Sequence, residues 1–306
     1  MRIKFFIVCF CILIFKSGII AQYLPNELFP DTLNPKRHKT LKYSTAGFLI
    51  ASPLLMNEMW YKDYERSGFH FYNDNNEWLK MDKAGHFMAA YSLSRISHAG
   101  LRWSGVDKKK AVWQSTIFSW SYMAMIEVLD GFSEEWGFSS GDMLANTAGV
   151  GLFAFQQLVW EEQRILVKYS FHTTEYAQYR PDVLGSSKLK QIFKDYNGST
   201  VWLSFNIKSF INDDSKFPEW LNLAVGYGAE GMTGGARNYT IYEGRNIPDF
   251  PRRSQFYLAI DLDLRRIDTD SKFLYYLFQA LSFIKIPLPT LEYNNADGLK
   301  FHAIYF

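Results

Sequence analysis

The sequence predicts an α+β protein: an N-terminal antiparallel four-helix bundle, close to a membrane bundle in character, followed by a β-rich C-terminal region. Two observations carry this. From about Leu41 to Leu166 apolar residues fall into four long stretches of helical length, and from about Thr200 the apolar period changes to two. A third observation bears on function, because acidic and imidazole side chains gather at the ends of three of the four stretches.

Met1 to Ala21 reads as a secretory signal peptide. Arg2 and Lys4 form a charged start, Phe5 to Phe15 an apolar run, and Ile19-Ile20-Ala21 a cleavage site. Cys9 and Cys11, the 2 cysteines of the chain, leave with it, so neither a disulfide nor a thiol mechanism is expected in the mature protein. Neither has the small-residue setting of a lipid-attachment site. Residues 22–40 form a linker, 41–170 the helical region, 171–199 a second linker and 200–306 the β-rich region with one amphipathic helix. A formal charge of +2 gives no reason to expect a nucleic-acid partner.

The four helical stretches are Tyr43 to Met59, Ala84 to Leu101, Ala111 to Leu129 and Met143 to Trp160, the first with a kink or break expected at Pro53. Ala89, Ala90, Ala145, Ala148, Gly149 and Gly151 are small residues that let helices approach closely. Antiparallel packing collects Lys36, Arg37, Lys39, Lys42, Arg102, Lys108, Lys109, Lys110, Arg164 and Lys168 at one end. Asp63, Glu65, Asp74, Glu77, Asp82, Asp130, Glu134, Glu135 and Asp142 collect at the other. This polarity predicts a membrane-embedded or membrane-associated bundle in the envelope, its basic end near anionic lipid headgroups. Membrane lipid is therefore an expected partner.

Strands are expected at Val201 to Ile207, Leu221 to Tyr227, Phe256 to Leu264 and Leu299 to Phe306, all alternating with polar or small residues. The second and fourth resemble outer-membrane barrel strands. Four strands do not close a barrel, so a partial sheet is expected, packed on the bundle or completed through its edge by an outer-membrane protein partner. Ser271 to Lys285 reads as an aromatic amphipathic helix, and Gly234 to Arg253 as a long loop.

Asp82 and His86, like Asp142 and Asn146, are four residues apart and project from one helix face. With Glu127 and Asp130 they share one end of an antiparallel bundle. Three chemistries fit these residue types. Asp82, His86, Glu127 and Asp142 suit a divalent metal such as Zn, Mn or Fe. His86 with Glu127 or Asp142 suits metal-free acid/base catalysis. Asp82 and Asp142 also suit plain helix capping, with His86 and Asn146 satisfying each other. The loop between Glu127 and Asp142 would hang over the cluster, with Trp136 and Phe138 shielding it. Neither a nucleophile elbow nor a phosphate-binding glycine loop occurs in the sequence.

These residues also carry a resemblance. Asp82-Lys83-x-x-His86-Phe87, Glu127-x-x-Asp130-Gly131 and Trp136-Gly137-Phe138-Ser139-x-x-Asp142-x-x-x-Asn146-x-x-Gly149 resemble the YfiM-like bacterial family of predicted envelope proteins. Their order is also similar to that in VanZ-like membrane proteins, which usually have an Arg where this chain has Trp136-Gly137-Phe138. The resemblance covers Lys80 to Gly151 and implies that Asp82, Lys83, His86, Glu127, Asp130, Asp142 and Asn146 belong to one pattern. It implies no reaction. The expected location is the envelope of a bacterium with an outer membrane, in the periplasm or at the outer membrane. The expected role is structural or in envelope lipid or cell-wall homeostasis. The alternative is a metal-dependent hydrolase acting on an envelope lipid or glycan, with Asp130 or Lys83 assisting the four metal ligands.

Overall fold

The computed structural model describes residues 29–212 and 214–306; the signal-peptide reading and residues 22–28 of the first linker lie outside them. Helix α1 (Pro35–Met56) starts where Asn34 Oδ1 accepts from the amides of Lys36 and Arg37, with proline at its first position. It runs through Pro53 instead of breaking there, and widens into a π turn over Asn57–Tyr61. Helix α2 (Met81–Trp103) follows an irregular segment, α3 (Lys108–Asp130) is capped by Asp107, and α4 (Ser140–Val159) by Ser139.

The expected bundle differs in one respect. Helices α2, α3 and α4 pack on one another, whereas none of the residues of α1 is buried. Helix α1 lies outside them, antiparallel to α2, held by the bond from Asn34 N–H to Ser104 O (2.9 Å) and by Phe48 against Tyr122. No described helix is long and apolar enough to cross a membrane. The second helix already showed why, with Ser92, Ser94, Arg95, Ser97 and His98 in its latter half.

The sheet is larger than expected and starts earlier. Strand β1 (Ile165–Phe171) follows α4 directly, within the stretch assigned to the helical region. Two short helices, α5 (Pro181–Leu184) and α6 (Lys188–Lys194), fill the expected linker before β2 (Ser199–Asn206) and β3 (Leu221–Glu230). The long loop contains a small hairpin, β4 (Ile241–Tyr242) with β5 (Arg245–Asn246). Strand β6 (Arg253–Leu262), helix α7 (Lys272–Leu281), β7 (Leu288–Asn294) and β8 (Gly298–Tyr305) complete the chain. The main sheet has six antiparallel strands in the order β1-β2-β3-β6-β7-β8. Ile284, just before β7, returns to pair with Tyr169 of β1, and Tyr305 of β8 reaches Thr200 and Trp202 of β2. The sheet therefore curls round its own inner face.

Helices and sheet share one core. Tyr91, Val112, Phe153 and Ala154 pack on Val167 of β1 and Val201 of β2, all on the outer face of the sheet. The inner face is largely polar and still buried. Lys168 Nζ lies 2.7 Å from Asp261, Lys285 Nζ lies 3.7 Å from the same carboxylate, and Ser204 donates to it at 2.6 Å. Asp261, Lys168 and Lys285 are at most 1% exposed. Removing the carboxylate leaves two buried ammonium groups without their counter-charge. Asp261→Ala is expected to lower unfolding stability by about 3–5 kcal/mol, read from the urea midpoint.

His98 lies edge-on to Phe153 at 5.4 Å, and burial, with Arg102 adding, pushes its pKa down to about 4. The unfolded imidazole takes up its proton near pH 6.5. Between those values the unfolded state binds more protons, so stability falls as the pH drops from about 7 towards about 4. His98→Phe is expected to flatten that part of the stability–pH curve, measured by urea unfolding across the range.

Candidate functional site

The starts of α2 and α4 and the end of α3 meet at one end of the helical layer. Two glycines set the approach. A Cβ on Gly149 would lie 2.3 Å from the carbonyl oxygen of Phe87, so α4 meets α2 backbone to backbone there. A Cβ on Gly141 would lie 2.2 Å from Asn75 Oδ1 and 3.1 Å from Lys83 Cε, which leaves room for the segment before α2. That segment is strained: Trp78, Leu79 and Lys80 take φ of 47°, 48° and 66°, conformations disfavoured for side chains of this size. Tyr227 of β3 donates to Leu79 O, and Trp78 N–H donates to Gly235 O, so the sheet holds the strained turn in place.

Asp82, Lys83, His86, Glu127, Asp142 and Asn146 come together within this corner. Lys83 Nζ lies 2.6 Å from Asp74, 2.8 Å from Asp142 Oδ1 and 3.3 Å from Asp82. His86 Nδ1 lies 3.2 Å from Glu127 Oε1 and 3.3 Å from Asn146 Oδ1, while its Nε2 lies 3.8 Å from Asp82 Oδ1. Asp130 stands at the margin, accepting from Tyr61 at 2.6 Å. Trp136 packs on Tyr61 and Tyr64, and Phe138 on Phe69 and Phe71, so the expected lid joins the 61–72 segment in an aromatic layer.

Four groups at the site had no signal in the sequence strong enough to single them out as members. Asp74 pairs with Lys83 and accepts from Ser139 Oγ at 2.6 Å, yet it lies in a polar turn without periodicity. Tyr61 follows a helix end. Tyr196 donates to Asp82 Oδ1 at 2.8 Å from a turn over a hundred residues away in the chain. Ser139 stands in the motif without a role of its own and caps α4, accepting from the Asp142 amide at 3.1 Å. Its own amide donates to Glu127 Oε2 at 3.3 Å.

Electrostatically the corner is short of positive charge. Asp74, Asp82, Glu127, Asp130 and Asp142 surround one ammonium and one imidazole. Burial raises Glu127 to about 8, with Asp142 and Asp130 adding and His86 opposing. Burial raises Asp142 to about 7, Asp82 adding to it, and burial raises Asp130 to about 6. For His86 burial opposes protonation, but Asp82, Asp142, Glu127 and Asp130 outweigh it and raise the ring to about 8. Glu127 is 1% and Asp142 4% exposed, and neither Glu127 Oε1 nor Asp142 Oδ1 has a well-directed hydrogen bond. The 2.8 Å contact of Asp142 Oδ1 with Lys83 is thus an ion pair of poor direction.

A divalent ion fits this donor set. Ligand atoms of Asp82, His86 and Asp142 all lie within 4.8 Å of one another. Asn146 Oδ1, the hydrogen-bond partner of Nδ1, would fix the imidazole tautomer, with Glu127 beside it, and leave Nε2 to face Asp82 and the ion. Lys83 is what holds the acidic side chains together without one. Lys83→Met is expected to cost about 3 kcal/mol of stability in metal-free buffer, because Asp74 and Asp142 lose their shared counter-charge; the midpoint of urea unfolding checks it.

A family model described as "predicted periplasmic lipoprotein (DUF2279)" matches residues 47–158, which take in the second half of α1, all of α2 and α3, and nearly all of α4. The matched stretch contains the whole Lys80 to Gly151 motif. No curated protein and no solved structure matches the chain. The family match supports a bacterial envelope protein, located in the cell envelope as the N-terminal segment led us to expect.

Proposed function

We propose that this envelope protein binds one divalent metal ion, Zn, Mn or Fe(II), through Asp82, His86 Nε2 and Asp142. Asn146 orients the imidazole through Nδ1, and the Glu127 carboxylate lies beside that nitrogen. The observation that carries this reading is the pair of buried carboxylate oxygens, Glu127 Oε1 and Asp142 Oδ1, left without directed hydrogen bonds among groups that include a metal-ligating imidazole. An ion would supply the missing positive charge and tie the starts of α2 and α4 to the end of α3. Its first role is then structural. The YfiM-like resemblance supports the reading to the extent that it puts the same residues in one pattern.

One observation favours a second, catalytic role. Three protein ligands leave open a position that water or substrate occupies at catalytic zinc centres. Asp130, raised to about 6, stands at the margin of the cluster as a base. That arrangement suits metal-dependent hydrolysis of an envelope lipid or glycan.

The test is the metal content and thermal stability of the purified protein. Elemental mass spectrometry is expected to find one ion per chain after incubation with Zn, Mn or Fe(II), and none in His86→Ala. At a free metal concentration about 100 times the Kd, the bound ion should add about 2.7 kcal/mol of stability, reversed by chelator. Absence of stoichiometric metal in the wild type under all three ions, with an unchanged melting temperature, overturns the proposal. Release of product from phospholipid or peptidoglycan by the loaded wild type alone would establish the catalytic role.

A further inference from the structure

The sheet is inside out for a protein surrounded by water. On β3, β6 and β7 the alternate residues that face inward are buried and mostly polar or small: Asn222, Gln255, Asp261, Thr290, Glu292 and Asn294 are all 7% exposed or less. The residues facing outward are apolar and mostly open, apart from Tyr227 and Ala229 at the end of β3, which pack beside Leu79 and Met81. Strand register lines them up in rows. Tyr227 pairs with Phe256, Phe256 with Tyr293, and Tyr293 with Leu299. Val225 pairs with Leu258, Leu258 with Leu291, and Leu291 with Phe301, while Leu223 pairs with Ile260. Leu258 is 43% and Phe301 68% exposed. Four strands at a spacing of about 4.8 Å make this one continuous apolar surface, and monomers in water rarely expose such a patch beyond a few hundred Å².

This is the same face that the helices cover on β1 and β2 through Val167, Val201 and Leu203. Beyond β2, α2 touches the far end of β3, where Met81 packs on Ala229, and the rest of the face stays open. Buried charge inside and open hydrocarbon outside is the arrangement of proteins that meet lipid. The basic residues supply a second argument. Asn34 bonds to Ser104, and Lys108 pairs with Glu161, so the starts of α1 and α3 share one end with the close of α4. Lys36, Lys39, Lys108, Lys109 and Lys110 all lie at that end, and Trp160 there packs on Phe210 in the turn between β2 and β3. Anionic headgroups complement such a group of charges beside an apolar face.

We propose that the outer face of β3, β6, β7 and β8 lies against the acyl chains of a bilayer containing anionic lipid. Strand β8 is paired on one side only, to β7, within the main sheet. Open strand edges are not tolerated in the hydrocarbon centre. The face therefore sinks into one leaflet, to a depth of about 5–10 Å, and does not span the membrane. This surface is separate from the metal cluster and does not depend on it.

The test uses the full chain with Cys9→Ser and Cys11→Ser and single nitroxide-labelled cysteines. Val225→Cys, Leu258→Cys and Phe301→Cys report on the outer face, and Lys188→Cys on exposed α6. Each already stands open at the surface, so the label opens no core cavity. In vesicles of phosphatidylcholine and phosphatidylglycerol, the three outer-face labels should collide several-fold more with oxygen than with a water-soluble nickel chelate. Lys188→Cys should show the reverse. Replacing Lys108, Lys109 and Lys110 together by Gln should reduce flotation with these vesicles several-fold. Three outcomes overturn the proposal: failure of the wild type to float, nickel collisions at Leu258→Cys and Phe301→Cys equal to those at Lys188→Cys, or shielding of the outer labels from both reagents in a dimer without lipid. The last would assign the face to a second copy of the chain.

Discussion

The close approach of α2 and α4 at Gly149 is the constraint on which the rest of this molecule depends. With 2.3 Å between a hypothetical Cβ and Phe87 O, no larger residue leaves the two backbones where they are. One turn before Gly149 on α4 is Asn146, and beside Phe87 on α2 is His86, so the same contact sets their 3.3 Å separation. Further along, it seats Phe153 edge-on to His98 and beside Tyr91, and Tyr91 and Phe153 pack with Val167 and Val201 of the sheet. Helix spacing, polar cluster and the helix–sheet core are consequences of one crossing. Polar groups brought this close in a dry corner must be paired or lose their charge, and burial raises the carboxyl groups of Glu127 and Asp142 towards their neutral forms.

The strained turn over Trp78–Lys80 explains how the sheet takes part in a site built on helices. Three successive left-handed residues cost of order 1–3 kcal/mol each and persist only where their surroundings fix them. Here Tyr227, Gly235, Met232 and Ala229 supply those surroundings from the end of β3 and the loop beyond. Tyr196 brings a second tie, from the turn before β2 to Asp82. The first turn of α2, with Asp82 and Lys83 on it, is therefore positioned from the sheet side as much as by its own helix.

Much of this was legible in the sequence because helix ends carry their own signals. Asp82/His86 and Asp142/Asn146 are spaced for one helix face, and the antiparallel order places Glu127 with them. Asp74 was legible only as one of the acidic residues at that end of the bundle, and Tyr196 not at all: each lies in an irregular segment, and neither spacing nor period connects it to α2. The sheet shows the same division. Strands β2, β3, β6 and β8 alternate clearly. Strand β1 was missed because Leu166, Val167 and Lys168 are buried in succession, one side under the helices and the other inside the curl. Strand β7 was missed because Pro289 interrupts a run of only seven residues. Pro53 misled in the other direction, since α1 absorbs it in a helix that buries none of its residues.

The buried ion pair of Lys168 and Asp261 also changes what alternation means in this chain. Period two ordinarily tells which face is wet, the polar one. Here the curl of the sheet, completed by Tyr169 with Ile284 and by Tyr305 with Thr200, encloses the polar face and leaves the apolar one outside. Alternation alone cannot distinguish the two cases, because both give the same sequence. What distinguishes them is whether the polar residues can satisfy one another. Asn206 with Asn222, Asn222 with Ser204, Ser204 with Asp261, and Gln255 and Asn294 with Glu292 do so within the curl. An inner face able to satisfy itself does not need water, and the outer face is then free to meet something other than water.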